Sequence, residues 1–177
     1  MVSLTASGGS IVDAQNLGNT TQDATVNVIA SGLRLNAAVG VGQSVNHLET
    51  TVGTLTAAGA GSVYLLEADD LTVGSVAVSV NRVGSAAGVS TVTDAAQADV
   101  RTSANGNIVL RSTAGDLTLT DGNTDGVALS ANGSGNVLVQ AVNAGKSITV
   151  NADVSTGTGN LSAVAGLDLT LGANADL

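Results

Sequence analysis

Apolar residues alternate with polar ones in stretches of three to five residues, and Gly, Asp or Asn interrupts each stretch. Alternation at a period of two is the mark of a half-buried strand, and helical spacing is rare along this chain. The clearest signal is a tetrapeptide that recurs as Asp70-Leu71-Thr72-Val73, Asp116-Leu117-Thr118-Leu119, Ser147-Ile148-Thr149-Val150 and Asp168-Leu169-Thr170-Leu171. A second pattern precedes each copy: Gly61-Ser62-Val63, Gly106-Asn107-Ile108, Gly135-Asn136-Val137 and Gly159-Asn160-Leu161. The order of the two patterns never changes, which is the self-similarity of a solenoid coil. Within one unit three short strands stand out, at Ile108-Val109-Leu110, Leu117-Thr118-Leu119 and Val127-Ala128-Leu129. The following unit supplies Val137/Val139, Ile148/Val150 and Val154, and the preceding one Val63/Leu65, Leu71/Val73 and Val76/Val78/Val80.

Three strands per unit predict a triangular coil whose equivalent strands pair in parallel, so that inward side chains form columns of like residues. Val26-Asn27-Val28 with Leu33-Arg34-Leu35 fits a further rung upstream, Val39 to Leu55 reads as a looser stretch, and Val2-Ser3-Leu4 with Ile11 suggests a partial coil. The expected fold is all-β: a three-sided parallel β-helix, a solenoid of about five rungs and about 25 Å long. Residues 1–177 form one such segment, with an excursion at 81–105 that could be a hairpin or a helical turn standing off the rod.

Gly61, Gly106, Gly135 and Gly159 share one place in the rung, a corner where left-handed or crowded backbone favours glycine. Asn107, Asn136 and Asn160 follow three of them, and stacked amides there can bond in a ladder; ordinary turn propensity accounts for them as well.

Composition narrows the picture. With no Pro, Cys, Trp or Phe and Tyr64 as the only aromatic, an aromatic-centred core is excluded, yet 44% hydrophobic residues with 11% charged ones predict folding rather than disorder. Absence of Cys excludes disulfides and thiolate metal sites. A net charge of -9 repels phosphate backbones and anionic membrane surfaces, so no nucleic-acid partner is expected. No uncharged apolar run reaches the roughly 18 residues of a membrane helix, so no membrane insertion is expected. The opening Met1-Val2-Ser3-Leu4 lacks the basic start of a signal peptide. The last residues, Leu167 to Leu177, are still in rung rhythm, and the expectation is a slice of a longer rod that continues beyond Leu177.

The stretch Gly9-Ser10-Ile11-Val12-Asp13, Val26-Asn27-Val28-Ile29-Ala30, Leu33-Arg34-Leu35-Asn36-Ala37-Ala38-Val39-Gly40-Val41-Gly42 and Leu48-Glu49-Thr50 resembles giant bacterial surface exoproteins with filamentous-haemagglutinin-like repeats. Val52-Gly53-Thr54-Leu55-Thr56-Ala57 and Ser62-Val63-Tyr64-Leu65-Leu66-Glu67-Ala68-Asp69-Asp70-Leu71-Thr72-Val73 resemble them equally, so the resemblance covers most of the chain. It implies a right-handed parallel β-helix, secretion to the bacterial cell surface, and a non-catalytic rod segment of an adhesin for cell-to-cell or host and symbiont attachment. The implied partner is a cell-surface receptor or glycan on a neighbouring cell, of unknown identity. No functional residue is carried over.

Parallel β-helices also carry polysaccharide lyases and hydrolases, which is the alternative reading. Glu67, Asp69 and Asp70 form the densest acidic cluster and could supply paired carboxylates. Asp70 recurs as Asp116 and Asp168, however, so a turn-forming Asp explains it more simply. His47 and Glu49 alternate on a possible strand as outward metal ligands, but without a third. Thr120-Asp121-Gly122-Asn123-Thr124-Asp125-Gly126-Val127 faintly resembles a calcium-binding nonapeptide without its double Gly. The outward column Thr72, Thr118, Thr149 and Thr170 suits ice-ordering arrays only if a second Thr column accompanies it, and none does. Gly40-Val41-Gly42 and Gly59-Ala60-Gly61 precede no helix and are not phosphate loops. The sequence therefore assigns no catalytic, cofactor-binding or metal-binding residue, and no cofactor.

Overall fold

The computed structural model describes residues 1–14 and 25–177. Among the described residues there is no helix, and fourteen strands join one nearly closed, barrel-like sheet of parallel pairs compatible with a β-solenoid. β1 (Val2–Ala6), β2 (Val28–Ala37) and β3 (Leu48–Gly59) pair in succession. Along β3 three ladders then diverge. Leu48–Thr50 lead to β4 (Val63–Glu67), β9 (Ile108–Ser112), β12 (Val137–Ala141) and β15 (Leu161–Val164). Thr54 and Leu55 lead to β5 (Leu71–Val73), β10 (Leu117–Leu119), β13 (Ile148–Val150) and β16 (Leu169–Leu171). Ala57–Gly59 lead to β8 (Val100–Thr102), β11 (Val127–Ala131) and β14 (Asp153–Thr156).

Register makes the core. Val63, Ile108, Val137 and Leu161 stack as Cα partners, as do Leu55, Val73, Leu119, Val150 and Leu171, and Leu35, Ala57, Val100, Leu129 and Val154. Leu35, Leu55, Val63, Val100, Ile108, Leu119 and Leu129 are fully buried or nearly so, which places the apolar half of each alternation inside. Small aliphatic chains suit this interior because each column must repeat at the strand spacing of about 4.8 Å, too close for stacked large rings without offset. At β16 the same columns reach solvent, with Leu169 and Leu171 half exposed.

Two expectations are corrected. Val76, Val78 and Val80 do not form the third side of their rung: they lie on β6 (Ser75–Val83), which pairs antiparallel with β7 (Val89–Ala98) in a separate two-stranded hairpin. The third side is β8, because Val100 and Thr102 show the same period-two alternation as the valines and fall into ladder register. The hairpin thus takes 75–98, while 100–102 belong to the ladder rather than to an excursion. Val76 and Val78 are buried at its base, where the Gln97 side chain donates to Leu35 O at 2.7 Å and Arg34 Nε donates to Ala95 O at 3.2 Å. Val80, Val83 and Val89 project into solvent. The stretch from Val39 to Leu55, read as loose, contains the start of β3, the longest strand among the described residues. Its alternation is masked in sequence because Glu49 and Thr50 are buried polar residues.

The corner glycines are required by crowding and not by left-handed backbone. A Cβ on Gly106 would sit inside the backbone of Gly61, one on Gly135 inside that of Gly106, and one on Gly159 inside that of Gly135. The residues beside them form the expected ladder. Asn107 Oδ1 accepts the Asn136 main-chain and side-chain N–H groups at 2.9 and 3.1 Å, and Asn136 Oδ1 accepts those of Asn160 at 2.8 and 3.1 Å. Ser62 Oγ starts the column by accepting Asn107 N–H at 3.0 Å.

Strand faces can be tested directly. Leu119→Asp should unfold or insolubilise the protein, because it removes burial worth roughly 2–3 kcal/mol and adds an unpaired interior charge costing several more. Thr118→Asp, on the half-exposed outer face, should shift the thermal midpoint by only a few degrees, on the order of 1 kcal/mol. Equal midpoints for the two variants would overturn the facing.

Candidate functional site

The structure divides the acidic cluster of 67–70 between interior and surface, with Asp69 still beside the Glu67 carboxyl. Glu67 ends β4 pointing inward and is fully buried, whereas Asp69 and Asp70 are exposed on the turn that follows. Glu67 is a bracket between neighbouring strands. Its Oε2 accepts the Thr50 hydroxyl at 2.7 Å, and its Oε1 accepts the N–H groups of Val52 at 3.1 Å and Ala68 at 3.0 Å. Burial outweighs these donors and pushes the carboxyl from its ordinary 4.5 to about 7. A cavity of about 40 Å³ lies beside it, lined by Glu49, Thr50 and Thr113 among others, too small for a sugar ring.

Asp70 belongs to a different structure, a polar column on the outer face of the second ladder. Asp70 Oδ1 accepts the Asp116 N–H at 2.8 Å, and Asp116 Oδ1 accepts the Ser147 N–H at 2.7 Å. Lys146 Nζ sits 3.3 Å from Asp70 and 3.5 Å from Asp116, so one cation serves two stacked carboxylates. The Asp116 N–H, together with Lys146, holds the Asp70 carboxyl below its usual range. The Thr column runs alongside, and in register it also includes Thr54, which the repeat did not show: Thr54, Thr72, Thr118, Thr149 and Thr170.

His47 and Glu49 are both buried rather than outward. The His47 ring stacks on Tyr64 with centroids 5.8 Å apart and planes 13° from parallel, which gives the lone aromatic its role. Burial, helped by the positive field of Arg111, lowers the imidazole to about 4, so it is neutral at ordinary pH. Nearby, Asp13 accepts the Asn27 and Asn46 amides, each at 3.0 Å, and Asn27 Oδ1 accepts the Glu49 N–H at 2.8 Å. These bonds fasten Asp13 and Asn27 to the segment that leads into β3.

The loop at Thr120–Val127 carries Asp121 and Asp125, and the ladder brings Asp99 to them, with one oxygen of each within 4.8 Å of the others. Sequence reading missed Asp99 because it lies in the interval taken for an excursion; its only signal was the charge alternation Asp99-Val100-Arg101. Three carboxylates are a plausible cation ligand set, but Arg101 already supplies a cation: Nη2 is 2.9 Å from Asp99 and 2.5 Å from Asp125. Asp121 accepts the N–H groups of Asn123, Thr124 and Gly126, and Asp99 accepts that of Gly122 at 2.8 Å. Burial raises the Asp99 carboxyl, while the main-chain donors hold Asp121 down. The cluster acts as an ion-pair clasp between the hairpin's return and the loop.

A shallow recess of about 370 Å³ lies beside the Asn ladder, lined by Asn107, Asn136, Asn160, Val109 and Leu138 among others. Comparison of the chain with protein-family models, curated proteins and solved structures yields no match.

Glu67 and His47 oppose each other in stability. Between about pH 4.5 and 7 the unfolded chain has released the Glu67 proton while the folded chain keeps it, so this group lowers stability as pH rises. Between about 4 and 6.5 the unfolded chain protonates His47 and the folded chain does not, so that group raises stability as pH rises. Each slope is about 1.4 kcal/mol per pH unit. Relative to the parent, Glu67→Gln should gain stability as pH rises from 5 to 6.5, and His47→Gln should lose it, by about 2 kcal/mol across that window. Urea titrations at several pH values check this; slopes parallel to the parent's for both variants would contradict the assigned shifts.

Proposed function

We propose that the chain is a non-catalytic rod segment of a giant secreted bacterial adhesin, which displays a surface for cell-to-cell or host and symbiont attachment. The proposed rod is a right-handed, three-sided parallel β-helix. Three diverging ladders support the three sides, and the seven strands from β1 to β16 that share the second ladder are compatible with five windings or more. The observation that carries the functional reading is where the polar groups go: Asn, Asp and Ser side chains bond to the same position one coil on, building long repeated faces instead of a convergent site. A polysaccharide-active site is favoured less, since Glu67 is fully buried beside a cavity too small for a sugar ring while Asp69 and Asp70 are exposed, and the one aromatic is stacked on His47. The partner proposed is a receptor or glycan on a neighbouring cell, at the bacterial surface.

Beads coated with the protein should adhere to bacterial or host cells above beads carrying an unrelated acidic protein, and a panel of polysaccharides should emerge unshortened. Polysaccharide turnover that disappears in Asp69→Asn/Asp70→Asn would replace this reading with the enzymatic one.

A further inference from the structure

The sequence contains Asn-Gly twice, at Asn105-Gly106 and Asn132-Gly133, and the fold sets the two turns against each other. Asn-Gly is the peptide most prone to intramolecular attack, because glycine has no side chain to hinder its nitrogen. Both asparagines are exposed, but their side chains are held differently. Asn105 is in left-handed backbone at φ 57°, and its Oδ1 accepts the Ser134 N–H at 3.1 Å. The same oxygen packs on Gly133 so closely that a Cβ there would collide with it, and Gly106 is buried between the backbones of neighbouring corners. To react, the Asn105 amide must first leave this position.

No such restraint acts on Asn132. Among the described residues nothing hydrogen-bonds its side-chain amide, and the Gly133 N–H donates to no acceptor. Its own main chain is engaged, since Asn132 N–H donates to Thr102 Oγ1 at 3.1 Å and Asn132 O accepts the Gly135 N–H at 3.0 Å.

We propose that Asn132 is a site of spontaneous deamidation in the folded protein, while the fold protects Asn105. The Gly133 nitrogen loses its proton to solvent base and attacks the Asn132 side-chain carbonyl carbon. A new C–N bond closes a five-membered succinimide as the amide C–N bond breaks and the nitrogen leaves as ammonia, taking a proton from water. Water then opens the ring at either carbonyl, giving aspartate or its β-linked isomer. No oxidant or cofactor takes part. Either product adds a carboxylate to a chain already at -9. The β-linked one also lengthens the main chain at a corner where Gly133 O accepts the Thr158 N–H at 2.6 Å, so the change reaches the adjacent turn.

The test is to age the full chain in mildly alkaline buffer, folded and in urea, and to follow the mass gain of about 1 Da per event in peptides spanning each pair. Folded protein should convert at 132–133 faster than at 105–106 by a factor on the order of five to ten, as expected when one hydrogen bond must open first. In urea the two should convert at similar rates, and Asn132→Ser should abolish the folded-state signal at that peptide. Equal rates at the two sites in the folded protein, or a site at 132–133 that reacts only in urea, would overturn the proposal.

Discussion

In-register parallel pairing puts each residue beside its own equivalent, and the rest of the structure follows from that constraint. Where the equivalent is Val, Leu or Ile, like stacks on like and the column becomes core. Asn fits equally well, because an amide carries both donor and acceptor and can bond to a copy of itself. At corners, backbone lies on backbone and only glycine fits. Large aromatic side chains gain least from such repetition, and the chain has a single one, in register with Val109 rather than with another ring and stacked on a histidine.

Charge is the hard case, since an acidic residue stacked on its copy repels it. The fold meets this in different ways. Asp70 and Asp116 share Lys146 and direct oxygens at the main-chain N–H groups of the next strand. Asp99 lies inside the Arg101 clasp. Glu67 has no cation against it among its hydrogen-bond partners, and interior burial holds its proton to near neutrality. In the same ladder position the next coils carry Ser112 and Ala141, so the carboxylate is never stacked on another.

Much of this is legible in the sequence because a repeat shows its own register: the Thr column, the Asn ladder and the corner glycines align on the sequence alone. The failures have physical causes. Val76, Val78 and Val80 alternate as a ladder strand does, and nothing local distinguishes a hairpin strand from a coil side. Glu49 and Thr50 are polar yet buried, so the opening of β3 looked like a loop. Asp99 joins Asp121 and Asp125 only through closure of the third ladder, a contact between distant segments that no spacing rule encodes. The burial of Glu67, with Asp69 and Asp70 left exposed beside it, depends on strand phase at a corner, where alternation ends.

On the proposed reading the repeated faces are the working part of the protein, while Glu67 and Asp99 bond to neighbouring segments of the fold. All of it depends on the ladder register, which nuclear magnetic resonance measures most directly. Thr118 should show main-chain proton contacts to both Thr72 and Thr149, which flank it in the second ladder. Contacts from Thr118 only to residues within its own turn, or to an antiparallel neighbour, would contradict the stacked parallel arrangement.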